Sequence, residues 1–216
     1  MTTPTTIVPP PPSDGSDIPP LWFTVPEGLF ALPIAPTPEG RTALAHGFVR
    51  ELYSEGDESV WTPAAPYYAA IAEYMAAEGV SYSAMGLFST EEGGVAQCAF
   101  TVAAVETDQK DPEIAAQGTL SILSKDPLND ARWLDLPCGP AVSCITLREF
   151  TLDPSVTASG EQAKLLTGQI QIYVPFPTGP YTAVFTLYTA STEYWGEFCD
   201  MVAAILQTVS FVEPED

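Results

Sequence analysis

The chain contains one histidine, His46, and four cysteines, which are residue types often used for nucleophilic and acid–base catalysis. A Ser-His-Asp or Cys-His arrangement would have to use His46, because there is no other imidazole. His46 lies in TALAHGFVRE, a stretch with a helical pattern, and the chain contains no G-x-S-x-G motif. We therefore interpret His46 as a surface residue on the side of a helix, and the sequence gives no candidate catalytic residue.

The cysteines show no C-x-x-C pair, and a zinc site is not expected with a single histidine available. Cys98 and Cys199 lie in apolar runs and are predicted to be small core residues. Cys138 and Cys144 flank GPAVS, and the sequence leaves open whether they form a disulfide across a turn. We interpret this stretch as a structural turn marked by Gly139 rather than as a reactive thiol site.

Cofactor and metal motifs are absent from the sequence. There is no H-E-x-x-H, G-x-G-x-x-G or G-x-x-x-x-G-K-[ST] pattern. The EEGG stretch at 91–94 is predicted to be a hairpin tip, since its carboxylates would repel phosphate, and residues 126–135 fail the spacing of a calcium loop. The sequence therefore predicts neither a cofactor nor a metal. A pair of carboxylates that acts as acid and base on a sugar stays an open alternative, although nothing singles out a pair among the 28 acidic residues.

The charge balance is strongly acidic, with 7 Lys and Arg residues against 28 Asp and Glu residues and a formal net charge of −21. Nucleic acids and anionic membrane surfaces would repel such a chain, so we predict no nucleic-acid partner. The acidity is explained either by solubility and overall composition or by attraction of a basic partner.

The chain shows no signal peptide and no run of 18 apolar residues, so we predict a cytoplasmic protein without membrane insertion. Leaderless export stays open. A Tyr-x-x-x-Asp/Glu spacing, used by one specialised export route, occurs at Tyr53 and at Tyr74, but about one such match is expected by chance, so the spacing carries little weight. We predict a disordered Pro-rich arm over residues 1–20, one α+β domain over 21–212 and an acidic tail over 213–216.

Several segments have clear helix or strand signals. Helices are predicted to start at Thr37 and Pro38, at Thr62 and Pro63, and at Asp111 and Pro112. Strands are predicted in LWFTVP, in a hairpin on either side of TEEGG and in four later segments, whereas GLFALPIAP is predicted to be an irregular connection. The last two of these strands are joined by the tight turn PTGP.

The C-terminal segment has an apolar stripe at helical spacing, formed by Tyr194, Phe198, Met201, Ile205 and Val209. Ser191 or Thr192 is predicted to cap this helix. Burial of five such side chains contributes about 10 kcal/mol of gross stabilisation, which is comparable to the net stability of a domain. The sequence therefore predicts that the last helix covers the sheet.

This order of elements resembles the Mog1/PsbP-like family. The resemblance rests on GQIQIYVPFPTGPYTAVFTLYTASTEYWGEFCDMVAAILQTVSFV, where two strands lead into an amphipathic helix, and on the opening WFTVPEGLFALPI. It covers residues 21–212. It implies an antiparallel sheet of six or seven strands flanked by helices. The family is largely non-catalytic and includes a binder of a small GTPase, an extrinsic photosystem subunit, lipoproteins and chaperones of secreted effectors.

From this resemblance and the missing catalytic groups we expect a protein-binding adaptor, chaperone or accessory factor, one form of which serves a bacterial secretion system. The partner would be a protein that is basic or has a hydrophobic segment, and a homodimer is a further option. The alternative is a small-molecule-binding protein or hydrolase that uses a pocket between sheet and helices. Converging polar groups in a deep pocket would favour the alternative, and an exposed apolar patch would favour the adaptor.

Overall fold

The computed structural model describes residues 4–7, 18–35, 37–91, 93–157 and 159–213. The strands are β1 (Pro4–Ile7), β2 (Leu21–Thr24), β3 (Leu29–Ala31), β4 (Val80–Ser89), β5 (Val95–Glu106), β6 (Asp130–Leu136), β7 (Gly139–Leu152), β8 (Ala163–Pro175) and β9 (Tyr181–Thr189). The helices are α1 (Pro38–Leu52), α2 (Glu58–Ala77), α3 (Pro112–Leu123) and α4 (Trp195–Gln207). Short 3-10 turns lie at Pro154–Val156 and Thr192–Tyr194.

Seven strands form one antiparallel sheet in the order β3-β4-β5-β9-β8-β7-β6, and β1 and β2 form a separate two-stranded ribbon. Both predicted hairpins are present, as β4 with β5 and β8 with β9. Their registers follow the predicted alternation, with Ile170, Ile172 and Val174 buried on one face. The predicted fold class, an antiparallel α+β sheet flanked by helices, is confirmed.

One face of the sheet is covered by β2 and α4. Phe23 of β2 lies at the centre of this core, where its ring contacts those of Tyr82, Phe100 and Phe185 at centroid distances of 5.3, 6.3 and 5.5 Å. The buried side chains of α4 join the same cluster: Phe198, Val202, Ile205 and Leu206. The prediction that the last helix packs on the sheet is confirmed.

The opposite face carries the other three helices. A second, smaller core joins α1 and α2 to Met85, which alternates along β4 with the residues of the first core. The third helix, α3, lies against β6, β7 and β8. The sheet is thus a middle layer, with α4 on one side and α1, α2 and α3 on the other.

The two ends of the domain meet beside α4. Trp22 of β2 and Ser210 exchange two backbone hydrogen bonds, each with a nitrogen–oxygen distance of 2.9 Å. The Thr208 hydroxyl also accepts a hydrogen bond from the backbone N–H of Thr24. The segment after α4 therefore extends the β1–β2 ribbon.

The structure corrects two predicted boundaries. The connection GLFALPIAP contains a strand, β3, whose Leu29 and Phe30 pair with Gly86 and Met85 at the sheet edge. The second helix begins at Glu58, not at Pro63, because the Asp57 carboxylate accepts the backbone N–H of Ser59 and caps the helix earlier.

Of the other predicted helix caps, those of α1 and α3 are confirmed and that of α4 is wrong. Thr37 caps α1, and Asp111 caps α3 by accepting the backbone N–H groups of Glu113 and Ile114, both as predicted. Neither Ser191 nor Thr192 caps α4, which follows directly on a 3-10 turn without a side-chain cap. Ser191 Oγ instead accepts the backbone N–H of Gln97 and ties the start of α4 to β5.

The predicted N-terminal arm lies largely outside the described residues. Within it, Pro4–Ile7 forms β1 and pairs with Leu21–Thr24 in antiparallel register. The predicted acidic tail lies outside the described residues except for Glu213.

Candidate functional site

The residues with catalytic chemistry do not converge. His46 is exposed on α1, and no hydrogen bond or ion pair joins it to the part of the chain that the structure describes. The four cysteines are free thiols, so Cys138 and Cys144 do not form a disulfide. Burial raises the pKa of all four thiols, that of Cys98 to about 11, which keeps them protonated and weakly nucleophilic at neutral pH.

The two acidic stretches singled out in the sequence have structural roles in the fold. Thr90 and Gly94 lie at the tip of the β4–β5 hairpin, where the backbone N–H of Thr90 donates to the Gly94 carbonyl. In the stretch 126–135, the Asp130 carboxylate binds Arg132 in a bidentate ion pair. Within the described ranges, no group of three or more His, Cys, Asp and Glu side chains is arranged to hold a metal ion.

An open groove of about 640 Å³ lies between α4 and the end of the β4–β5 hairpin. We call it the α4 groove. One wall consists of Tyr194, Phe198, Met201 and Ala204, which follow one another along the 3-10 turn and α4 at helical spacing. The other wall consists of Phe88, Ser89, Thr90 and Ala96 of the hairpin, and Pro26 also lines the groove. The walls are therefore mainly apolar.

Phe88 is held in place by two glycines and by α4. Gly28 has a φ of +92°, and a Cβ there would lie 2.7 Å from Phe88 Cε1. A Cβ on Gly86 would lie 2.7 Å from Phe88 Cε2. On the third side, the Phe88 and Phe198 rings meet edge to face at 6.2 Å. Since any side chain at either glycine would displace the ring, the local sequence fixes this wall of the groove.

The α4 wall depends on a third glycine. Trp195, the first residue of α4, packs its ring over Gly168 of β8, where a Cβ would lie 2.7 Å from Trp195 Cε3. This close approach determines how near the first turn of α4 lies to the sheet. Because α4 buries Phe198 and Val202 in the core, the neighbouring residues Met201 and Ala204 are directed along its flank into the groove.

The rim of the α4 groove is acidic. Glu91 stands at the hairpin side and Glu197 at the α4 side, and both side chains are exposed. Neither carboxylate forms an ion pair or accepts a side-chain hydrogen bond from the described residues. The groove thus combines an apolar interior with two available negative charges at its mouth.

The sequence missed this site. Tyr194 and Met201 were assigned to the buried stripe of α4, whereas both are half-buried and line the groove. The sequence offered no separate signal for the groove, because the residues that widen the stripe, Trp195, Val202 and Leu206, pack against the sheet and not in the groove.

Comparison with known proteins gives no match to a family model, to a curated protein or to a solved structure. The Mog1/PsbP-like resemblance therefore stays a prediction from the sequence. None of the helices in the described ranges has both the length and the apolar character needed to span a membrane.

Proposed function

We propose that the chain is a non-catalytic protein-binding adaptor or chaperone, and that its α4 groove takes an apolar segment of a partner protein. The observation that supports this most directly is the apolar lining of the groove, in which Tyr194, Phe198, Met201 and Phe88 face an open space of about 640 Å³. Exposed apolar surface of this kind, rimmed by polar groups, is typical of interaction sites.

The expected affinity is modest. Two apolar side chains of a partner, each fully buried in the groove, would contribute about 3–6 kcal/mol of gross burial together. Part of this is offset by the entropy lost on association, so we expect dissociation constants of about 0.1 mM or weaker for a segment with two such anchors. Met201 suits such a site, because its flexible thioether adapts to different apolar shapes.

The cellular setting of the proposal comes from the sequence alone. The Mog1/PsbP-like resemblance supports an accessory or chaperone role, including service to a bacterial secretion system, and a cytoplasmic location stays an expectation from the sequence. A second copy of the chain is a further occupant of the groove, and light scattering coupled to size-exclusion chromatography measures whether the protein dimerises.

The experiment fills the groove with a side chain of the protein itself. Ala204 is exposed and lines the groove, so Ala204→Trp would occupy the space with little effect on the core. Ala203 is also exposed on α4 but does not line the groove, so Ala203→Trp is the matched control. Binding is measured by fluorescence anisotropy with a short labelled apolar peptide flanked by Gln.

We expect Ala204→Trp to weaken peptide binding at least about tenfold, the loss of roughly one buried anchor. Ala203→Trp should bind as the unchanged protein does. Equal binding by all three proteins, or no binding by any of them, would refute the groove as a peptide site.

A small-molecule-binding role is the second candidate, because the groove volume falls in the range of about 300–1,000 Å³ that is typical of ligand pockets. Native mass spectrometry of the protein purified from its source distinguishes the two roles. A bound apolar compound that is lost in Ala204→Trp would favour the small-molecule role.

A further inference from the structure

We propose that the segment bound in the α4 groove carries Lys or Arg beside its apolar residues, and that Glu91 and Glu197 select it. This inference rests on the proposed function and deepens it, since it names the chemistry of the partner segment. The position of the two carboxylates, their lack of partners and the distribution of charge around them support it.

The two carboxylates belong to different walls of the groove. Glu91 comes from the tip of the β4–β5 hairpin, and Glu197 from the first turn of α4. An apolar side chain that enters between the walls therefore has a negative charge on each side of its backbone. A Lys or Arg next to it in sequence can reach one of these carboxylates while the anchor stays buried.

The surroundings add further negative charge. Glu193 and Asp200 are exposed beside Glu197 at the start of α4, and α4 itself contains no basic residue. None of the seven Lys and Arg residues lines the groove. Four of them form ion pairs elsewhere: Arg41 with Glu73, Arg50 with Glu58, Arg132 with Asp130 and Lys164 with Glu149. A cationic segment would be attracted to this mouth, and an anionic one repelled.

The groove walls also suit the shape of a basic side chain. Lys and Arg have long apolar stems that can lie along apolar surface while the charged group stays in water. Tyr194 and Met201 offer such a surface beside Glu197, since they are three residues before it and four residues after it in the same wall of the groove. The Tyr194 ring can in addition take part in a cation–π contact. One basic residue can therefore use both the apolar wall and the acidic rim.

The test compares short fluorescent peptides that share one apolar sequence and differ only in their flanking residues, which are Lys, Gln or Glu. Each is titrated into the full chain and into the double variant Glu91→Gln, Glu197→Gln. The matched control is Glu51→Gln, Glu78→Gln, which has the same net charge. It changes exposed carboxylates on α1 and at the end of α2, on the other side of the sheet.

We expect the unchanged protein to bind the Lys peptide more tightly than the Gln peptide, by between about two-fold and thirty-fold for two exposed ion pairs. The preference should shrink as salt rises, because exposed charges are screened over about 10 Å at 0.1 M salt. The groove variant should lose the preference and keep its affinity for the Gln peptide, whereas the control variant should keep both.

The outcomes separate the two proposals. Equal binding of the Lys, Gln and Glu peptides, all lost in Ala204→Trp, would overturn the charge selection and leave the apolar site standing. A preference that the Glu51, Glu78 variant loses as fully as the groove variant would also overturn it, since net charge alone would then explain the effect. No binding of any peptide would refute the proposed function itself.

Discussion

The contact between Gly168 and Trp195 predicts a specific energetic coupling between β8 and α4. In Gly168→Ala, the added Cβ would lie 2.7 Å from Trp195 Cε3 and 3.0 Å from Cη2, closer than any unstrained contact. Both the strand and the first turn of α4 would have to shift. Overpacking of this kind costs about 1–3 kcal/mol.

A second effect acts in the opposite direction. Replacing Gly with Ala removes conformational freedom from the unfolded chain and stabilises a compatible site by about 0.4–1 kcal/mol. Gly168 has ordinary strand geometry and not a positive φ, so this gain applies. The net expectation for Gly168→Ala is a loss of about 1–2 kcal/mol in the free energy of unfolding.

The double-mutant cycle with Trp195→Ala isolates the contact. Without the indole, Gly168→Ala should be neutral or stabilising, so the coupling energy should be about 1–3 kcal/mol. Urea denaturation followed by far-ultraviolet circular dichroism measures it without relying on tryptophan fluorescence. Gly196→Ala is the control, since a Cβ there meets no atom within 4 Å. An equal loss from Gly168→Ala with and without Trp195 would contradict the packing argument.

Two further predictions concern a helix cap and a buried thiol. Asp111→Ala removes the carboxylate that accepts the backbone N–H groups at the start of α3, at 3.0 and 3.2 Å, and should lower the free energy of unfolding by about 1 kcal/mol. Asp108→Ala, an exposed neighbour outside the cap, should change it little, and equal effects in urea denaturation would show that the cap is not the cause. Burial raises the pKa of Cys98 from its ordinary 9.0 to about 11, so between these pH values the folded protein keeps a proton that the unfolded chain has lost. Stability should therefore fall as pH rises from about 9 to about 11, and less steeply in Cys98→Ala; parallel pH profiles of the two proteins would count against this assignment.

The sequence predicted the elements whose pattern is local. The alternation of Ile170, Ile172 and Val174 with polar residues has the period of a strand, and the spacing of Phe198 and Ile205 has the period of a helix. Both patterns are imposed by a single buried face, which the structure shows to be the face between the sheet and α4. The fold class follows from these local signals, because few arrangements bury such faces together.

The errors arose where a longer-range or competing interaction decides the structure. Asp57 caps α2 before Pro63, and the helix tolerates this proline beyond its first turn, so the Thr-Pro signal was misleading. The strand β3 forms in a Pro-rich segment because Leu29 finds a partner in Gly86, which lies far along the chain. Ser191 has the right residue type for a cap, but its hydroxyl instead accepts the backbone N–H of Gln97 in β5.

The α4 groove could not be predicted for a related reason. Its volume depends on how far α4 stands from the tip of the β4–β5 hairpin, and this spacing is set by Gly168 below Trp195 and by Gly28 and Gly86 around Phe88. Gly28 and Gly168 act through contacts with residues distant in sequence, Phe88 and Trp195, whereas Gly86 acts on Phe88 of its own strand. A single sequence shows that these glycines exist, but not which rings they accommodate.

The paired backbone hydrogen bonds between Trp22 and Ser210 have a consequence for how the domain connects to other protein chains. Since Pro4 pairs with Thr24 and Ser210 with Trp22, both ends of the folded unit lie beside β2, and a polypeptide joined at either side would hold the domain as a lateral branch and not as a link in series. The domain could therefore be inserted into a surface loop of a host protein with little distortion of the domain or of the host. A pulling force along the joined chain would act on the two ends and not across the seven-stranded sheet.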